Sequence, residues 1–120
     1  MSESKNFSPA EPVALDPPKD DPITVEELAK ADGSNPTTPI YIAIKGTVFD
    51  VSRNRASYGP GGAYHVFAGK DASRGLAKSS VKPEDAVAEW IDLDEKEKGV
   101  LNDWYTFFSK RYNIIGKVKL

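Results

Sequence analysis

One stretch of the sequence has residue types that could bind a ligand. It is a loop of small residues between two tyrosines. Tyr58 and Tyr64 flank residues 59–63, and Phe67 and Ala68 follow Tyr64 at helical spacing. Residues at i, i+3 and i+4 share one face of a helical turn, so Tyr64, Phe67 and Ala68 together suggest a slot for a flat ligand. A tyrosine phenolate is a hard oxygen donor that suits ferric iron, including the iron of a haem. Spacing alone favours a structural role, because most buried tyrosines pack and donate one hydrogen bond.

Cationic side chains lie on both sides of this stretch in the sequence. Arg53 and Arg55 precede it, and Lys110 and Arg111 stand next to Tyr112 near the C-terminus. Guanidinium and ammonium groups pair with carboxylates, so these four cations are candidate partners for the propionates of a haem. The Tyr112 hydroxyl is a candidate hydrogen-bond donor to the same ligand.

The composition removes several classes of site. The chain of 120 residues contains no cysteine and a single histidine, His65. Disulfides, thiolate nucleophiles, iron–sulfur clusters and bis-histidine haem ligation within one chain are therefore excluded. The net charge of −2 and the lack of a basic stripe argue against nucleic-acid binding. Any metal chemistry must use oxygen ligands or one nitrogen.

Phosphate binding and hydrolysis are alternatives that the motifs do not support. Residues 59–64 lack the third glycine of a dinucleotide fingerprint, and residues 69–71 lack the upstream glycine and the Ser/Thr of a P-loop. His65 is the one candidate imidazole base, with Ser57 and Ser73 near it in sequence. Neither serine lies in a G-x-S-x-G nucleophile elbow, so we expect His65 to lie on the exposed side of a helical turn.

The first half of the domain predicts a helix followed by a hairpin. Residues 24–27 form a capping box at the start of a helix that ends near Ala31. The β-rich runs 40–44 and 47–51 are separated by Lys45 and Gly46, which predicts a two-residue hairpin turn. Apolar residues occur on both faces of these strands, so we expect both faces of the sheet to be covered.

The second half predicts more helix and a closing strand. We expect short helices over residues 72–78 and 83–90, and a capping box at residues 92–95 predicts the start of the longest helix. That helix runs to about Arg111 with one aromatic face, and residues 112–120 predict a strand with a glycine break. This order of elements indicates an α+β domain rather than an alternating β/α sandwich.

The N-terminal residues differ from the rest in composition. Residues 1–21 are rich in proline and acids without helical or strand periodicity, which predicts a flexible arm; residues 22–120 are the predicted domain. The alternative is a strap packed along the domain through Phe7, Val13 and Leu15. Neither an apolar run of about 18 residues nor the apolar core of a signal peptide is present, so we expect an intracellular protein with no transmembrane segment in this chain.

Several longer motifs resemble one family. Residues 58–64, YGPGGAY, and residues 66–77, VFAGKDASRGLA, strongly resemble the membrane-associated progesterone receptor family. Residues 42–51, residues 102–104 and residues 112–117 extend the likeness. The resemblance covers nearly the whole predicted domain.

The resemblance implies a fold and a haem site. The fold is cytochrome b5-like, with a small sheet and paired short helices that form the pocket. Instead of the two histidine ligands of cytochrome b5, Tyr64 would bind the iron of a ferric, five-coordinate haem b. The implied pocket residues are Tyr58, Arg111 and Tyr112, which hydrogen-bond near the haem or contact its propionates, and Phe67 and Ala68, which line the slot.

Two positions depart from the family pattern. Arg111 stands where relatives usually carry lysine, a change that keeps the charge but alters the donor geometry. Ala63 follows Gly62 in a loop where relatives more commonly have glutamate and glycine.

The resemblance implies a binding and regulatory module rather than an enzyme. Its implied role is to bind and support cytochrome P450 enzymes in sterol metabolism, peripherally at the endoplasmic reticulum. A phenolate ligand stabilises Fe(III) and makes a poor electron carrier, and the open haem face suits a haem-dependent homodimer. The alternative is an apo module that binds a steroid, a sterol or a protein partner through the same slot without haem.

Overall fold

The computed structural model describes residues 15–119 of the chain. Residues 1–14, which include most of the predicted arm together with Phe7 and Val13 of the alternative strap, lie outside the described residues, as does Leu120. The described part forms an α+β domain, as the order of predicted elements indicates.

A mixed sheet of five strands runs through the domain. Its strands are β1 (Pro22–Thr24), β2 (Tyr41–Ile44), β3 (Thr47–Asp50), β4 (Lys70–Asp71) and β5 (Asn113–Lys119). Their order across the sheet is β1-β5-β3-β2-β4. The neighbours β2–β3 and β3–β5 are antiparallel, whereas β1–β5 and β2–β4 are parallel.

Four helices and several 3-10 turns connect these strands. The helices are α1 (Val25–Lys30), α2 (Arg55–Tyr58), α3 (Ser73–Ala77) and α4 (Glu95–Arg111). The 3-10 turns are Ser52–Asn54, His65–Phe67 and Pro83–Asp85. The short helices and turns frame one side of the sheet, and α4 returns the chain to β5.

Apolar residues are buried on both faces of the sheet, as predicted. On one face, Ile42 and Phe49 are fully buried in the larger core, which includes the aromatic residues of α4. On the other face, Ala43 and Val48 are fully buried beside Leu28 of α1. Each strand of the hairpin therefore contributes to two cores.

Helix α1 begins where the capping box predicts. The Thr24 hydroxyl oxygen accepts the Glu27 backbone N–H at 3.0 Å, and the Glu27 carboxylate accepts the Thr24 N–H at 3.3 Å. Ile23 and Leu28, on either side of the cap, are buried in the same cluster. Both hydrogen bonds of the capping box are therefore formed. They fix the start of α1, which is only six residues long.

The predicted β2–β3 hairpin is confirmed. Lys45 and Gly46 adopt φ values of +53° and +80°, the left-handed pair of conformations that a type I′ turn requires. Glycine at the second position accepts that conformation without a steric cost.

The helix predicted over residues 83–90 is wrong. Only the turn Pro83–Asp85 is helical, and the chain then runs as a loop. The Val87 carbonyl accepts the backbone N–H of Arg74 at 3.0 Å, and Ala86 is buried in the larger core. Hydrogen bonding to α3 and burial of Ala86 replace the helical bonds that local sequence favours.

Helix α4 starts two residues later than the predicted capping box. Asp94, not Asp92, is the N-cap, and its carboxylate accepts the Glu97 N–H at 2.8 Å. Asp92 instead pairs with Arg74 at 2.9 Å. The predicted aromatic face is confirmed, since Trp104, Phe107 and Phe108 are buried.

The segment before β1 follows β5 instead of leaving the domain. The Lys19 N–H donates to the Ile114 carbonyl at 3.1 Å, and Leu15 is half-buried. Strand β5 continues through Gly116, where a Cβ would lie 2.2 Å from the Asp21 carbonyl oxygen. The predicted glycine break coincides with a shift in the β3–β5 register, since Val48 pairs with Gly116 and Phe49 with Ile114, while the strand itself continues.

Alanine at two helical glycines should change stability in opposite directions. Gly99 of α4 is exposed and a Cβ there meets nothing within 4 Å, so Gly99→Ala should raise the free energy of unfolding by about 0.5–1 kcal/mol. At Gly75 of α3, a Cβ would lie 3.1 Å from the Asp85 and Ser80 carbonyl oxygens and from the Phe67 ring. Gly75→Ala should lower the free energy by about 1–3 kcal/mol. Urea unfolding measures both, and equal effects of the two variants would contradict this packing.

Candidate functional site

Three tyrosine rings and two phenylalanine rings meet beside the end of α4. The Tyr58 ring is central, with its centroid 6.0 Å from that of Tyr64 and 6.4 Å from that of Tyr112. Tyr64 stacks on Phe67 at 6.2 Å with an interplanar angle of 10°, and Tyr58 meets Phe108 edge-on at 6.1 Å. The predicted site tyrosines, distant in sequence, are thus brought into one aromatic cluster.

Tyr64 is the least buried of these three tyrosines. Its exposed fraction is 9%, against 1% for Tyr58 and 1% for Tyr112. The neighbouring loop residues Pro60 and Ala63 are exposed. Of the three rings, Tyr64 therefore lies nearest to solvent-exposed chain.

A tight turn positions Tyr64. The Tyr64 N–H donates to the Ser57 carbonyl at 2.9 Å, so the loop folds back on α2. A Cβ at Gly62 would lie 2.3 Å from the same Ser57 oxygen. Only glycine fits at this point, and the close approach orients the residue two positions later.

Phe67 stacks on the Tyr64 ring, and Ala68 is buried in the same core. The helical segment is only the 3-10 turn His65–Phe67, and Ala68 ends it in an extended conformation. Phe67 is fully buried, and Ala68 is 4% exposed. Phe67 forms a flat wall parallel to the tyrosine ring.

A small polar cleft adjoins the aromatic cluster. It has a volume of about 140 Å³, and its lining includes Arg53, Arg111 and Tyr112 together with Asp50 and Leu15. The Asp50 carboxylate accepts the Ser52 N–H and hydroxyl, so that acid is already hydrogen-bonded. Two guanidinium groups and one phenol therefore converge on one cleft, an arrangement suited to a carboxylate ligand.

Arg111 also packs against aromatic rings. Its guanidinium carbon lies 5.9 Å from the Phe107 ring centroid and 6.0 Å from that of Tyr112. Its carbonyl accepts a hydrogen bond from Arg53 at 3.3 Å. The planar guanidinium thus lies near two aromatic rings while Arg111 also lines the cleft.

Asn54 is a site residue that sequence reasoning missed. Its side-chain amide donates to the Tyr112 hydroxyl oxygen at 3.2 Å. No sequence pattern links residues 54 and 112, because the contact depends on the packing of the 3-10 turn Ser52–Asn54 against the C-terminal end of α4.

The other predicted propionate partners lie elsewhere. Arg55 donates to the Gly33 carbonyl at 2.5 Å and to the Asn35 carbonyl at 3.3 Å, which ties it to the loop after α1. Lys110 is exposed on α4 and does not line the cleft. Of the four candidate cations, Arg53 and Arg111 are the two that the structure brings together.

The residues of the hydrolase alternative are engaged in structural hydrogen bonds. His65 Nδ1 donates to the Tyr58 carbonyl at 2.9 Å. The Ser73 hydroxyl donates to the Asp71 carboxylate at 2.5 Å and accepts the Lys45 N–H at 2.8 Å. Ser73 and Asp71 thus stabilise the turn between β2 and β3, and His65 stabilises the tyrosine loop.

The sequence of this domain matches a model of a known protein family. The model described as "Cytochrome b5-like Heme/Steroid binding domain" matches residues 24–119. The chain belongs to this family. The match confirms the fold class and the resemblance predicted from the sequence, and its description names haem and steroid as the ligand classes of the family.

Curated relatives carry names of binding and regulatory proteins. The chain is 50% identical to Membrane steroid-binding protein 2 of Oryza sativa subsp. japonica over 81% of its length and 37% of the relative's. It is 48% identical to Probable steroid-binding protein 3 of Arabidopsis thaliana, over 80% of its length and 96% of the relative's. It is 43% identical to Cytochrome P450 regulator dap1 of Schizosaccharomyces pombe, over 79% of its length and 61% of the relative's. The chain therefore spans nearly all of one family member and well under half of another.

Solved structures of family members have the same fold. A hypothetical protein from Arabidopsis thaliana, described as having a cytochrome b5 like fold, superimposes with a TM-score of 0.76 at 46% identity, covering 83% of this chain and 92% of that one. A putative steroid-binding protein from Arabidopsis gives a TM-score of 0.77 at 45% identity, and the match covers 87% of this chain and 100% of that one.

Residues 15–119 contain neither a metal-ion cluster nor a membrane-spanning helix. No group of three or more acidic or histidine side chains that could hold a metal ion occurs in that part of the chain. Within the same residues, no helix combines the length and the apolar character needed to cross a membrane.

Alanine at Gly62 should displace the tyrosine loop. The new Cβ would collide with the Ser57 and Ala56 backbone, so Gly62→Ala should lower the free energy of unfolding by about 1–3 kcal/mol. It should also shift the NMR resonances of the Tyr64 ring. Ala63→Gly changes the adjacent, exposed residue and is the matched control. Unshifted Tyr64 resonances in Gly62→Ala would contradict the role given to this glycine.

Proposed function

We propose that this protein is a haem-binding module in which the Tyr64 phenolate binds ferric haem b as the axial ligand of a five-coordinate iron. The observation that carries this proposal is the unequal burial of the three clustered tyrosines, of which Tyr64 is the least buried at 9% exposure. A ligand oxygen must be reachable by an external macrocycle, and Tyr64 has exposed loop residues beside it. The family description, which names haem, supports the same ligand.

The residues around Tyr64 fit the chemistry of a haem. The phenolate is a hard anionic donor, Phe67 offers a parallel aromatic wall, and Ala68 adds little bulk beside it. Arg53 and Arg111 provide two cations at the neighbouring cleft, where they would hold propionate carboxylates. When bound, haem would supply a ferric centre of low reduction potential, suited to binding and sensing rather than to rapid electron transfer.

Tyr58 and Tyr112 act as positioning residues in this proposal. Tyr58 contacts both other tyrosine rings, so it maintains the distance between Tyr64 and the cleft. Tyr112, held by Asn54, presents its hydroxyl next to the two arginines. Together they would orient the Tyr64 oxygen and the carboxylates of one ligand at the same time.

Haemin titration tests the ligand assignment. Tyr64→Phe removes the ligand oxygen and keeps the ring, so haemin affinity should fall by roughly 100-fold or more. The Soret absorbance and the phenolate-to-iron charge-transfer band report binding and ligation respectively. The parent protein should show both, and the variant should lack the charge-transfer band.

Tyr41→Phe is the matched control, because Tyr41 lies in the smaller core on the opposite face of the sheet. It should bind haemin as the parent does. If Tyr64→Phe binds haemin as tightly as Tyr41→Phe, Tyr64 is not the ligand.

The biological role that we propose is to bind and support cytochrome P450 enzymes of sterol metabolism. A relative 43% identical to this chain is named a cytochrome P450 regulator. With one protein ligand, the second haem face would remain open to another protomer's haem, which would give a haem-dependent homodimer.

Partner binding should depend on haem. The haem-loaded protein should bind a sterol-metabolising P450 at least about tenfold more tightly than the apo protein, and Tyr64→Phe should bind like the apo protein in both conditions. Surface-immobilised P450 with matched apo and loaded samples measures this. Equal affinity with and without haem would favour the apo module, and sedimentation of the same samples tests the dimer.

The second candidate function is steroid or sterol binding without haem. It is favoured by the names of relatives that are 45–50% identical to this chain and are called steroid-binding proteins. The sequence suggests that such a ligand would use the slot at Tyr64. Competition between haemin and a steroid for the protein distinguishes one shared slot from two sites.

A further inference from the structure

A second cavity lies at the β4 edge of the sheet. It has a volume of about 510 Å³, within the roughly 300–1,000 Å³ typical of small-molecule sites. Helix α1 forms one wall with Val25 and Ala29, and the loop that contains Val87 and Trp90 forms the opposite wall. None of the tyrosines of the aromatic cluster lines it.

The walls of this cavity expose apolar side chains that a monomeric domain normally buries. Val25 is 50% exposed and Val87 is 36% exposed, and both face the cavity together with Leu28 and Val118. Exposed apolar surface that is concave and continuous usually marks a ligand groove or an interface. The Trp90 ring adds a flat wall suited to a rigid planar molecule.

A positioned ammonium group provides the polar end of the cavity. Lys45 Nζ donates to the Asn102 side-chain oxygen at 3.0 Å and lies 4.8 Å from the Trp90 ring centroid. An ammonium carries three N–H donors, and within residues 15–119 the Lys45 ammonium makes no ion pair and no hydrogen bond besides that to Asn102. A donor at a fixed place in an apolar cavity can orient one acceptor oxygen.

The charge around this donor favours a neutral acceptor over an anion. Asp71 also lines the cavity, and its carboxylate accepts N–H groups from Gly46 and Ser73. Burial raises the pKa of this carboxyl, so negative charge is already costly at this place. An anionic ligand would add a second negative group beside Asp71, whereas a carbonyl or hydroxyl oxygen would not.

We propose that this cavity is a small-molecule site, separate from Tyr64, that binds a rigid apolar molecule of the steroid class through a neutral oxygen at Lys45. This inference rests on the second candidate function, steroid or sterol binding, and gives it a different location. A rigid ligand loses little conformational entropy on binding. The contacts with a few side chains can therefore be enough to hold it. None of the tyrosines of the aromatic cluster lines this cavity, so the two ligands would occupy separate sites.

Progesterone, a neutral ketosteroid, is the probe, titrated into the 120-residue chain and followed by two-dimensional NMR. The Trp90 indole and the Gly46 and Val87 amides should shift saturably, while the Trp104 indole, buried in the core, and the Tyr64 amide stay in place. The anionic pregnenolone sulfate should bind more weakly than progesterone.

Variants locate the site independently. Ala29→Phe fills the cavity from an exposed position of α1, and Val87→Glu places a charge in its wall; each should weaken progesterone binding by at least about tenfold. Lys45→Met gives a side chain of similar length without the ammonium donor, and it should weaken progesterone binding by a similar factor. Thr106→Phe, on the exposed face of α4, is the matched control and should bind as the parent does.

Haemin titration of the same variants separates this inference from the proposed haem site. Ala29→Phe should bind haemin normally, and Tyr64→Phe should bind progesterone normally. Parent-like progesterone affinity in both Ala29→Phe and Val87→Glu would overturn the cavity assignment, as would shifts centred on Tyr64 or no saturable binding. Tighter binding of pregnenolone sulfate than of progesterone would overturn the neutral acceptor at Lys45.

Discussion

The ring of Phe108 is the contact on which the rest of the domain depends. It meets Phe49 of β3 edge-on at 5.5 Å, Tyr112 at 5.2 Å and Tyr58 at 6.1 Å. One side chain of α4 thus joins the sheet to two of the three clustered tyrosines. Edge-to-face pairs contribute about 0.5–1.5 kcal/mol each beyond the burial of area, and their geometry restricts where the tyrosine rings can lie. Tyr64 is held in turn by its contacts with the Tyr58 and Phe67 rings.

The two candidate sites differ in how they are built. The tyrosine site is packed, with its least buried phenol at Tyr64 and two arginines at the adjoining cleft. The cavity at β4 is open and mostly apolar, with one positioned ammonium. The linings of the cleft and of the cavity share no residue.

Local sequence predicted the elements whose stabilising interactions are themselves local. The capping box at Thr24, the turn at Lys45 and Gly46, and the aromatic face of α4 all involve residues within a few positions of each other. The predicted helix over residues 83–90 failed because the Val87 carbonyl bonds to Arg74. The late start of α4 has a similar cause, since Asp92 pairs with the same arginine. The strands β1 and β4 are too short to show a period of two.

The sequence by itself determined the fold class, the family and the exclusion of thiolate and bis-histidine chemistry, because composition and contiguous motifs carry that information. It also supplied the set of tyrosines and cations from which a site could be built. Only the tertiary structure decided that Arg53 and Arg111 share a cleft while Arg55 does not, that Asn54 holds Tyr112, and that Tyr64 is the least buried of the three tyrosines. The physical reason is that exposure and long-range contact are properties of packing between elements distant in the chain, which no local spacing encodes.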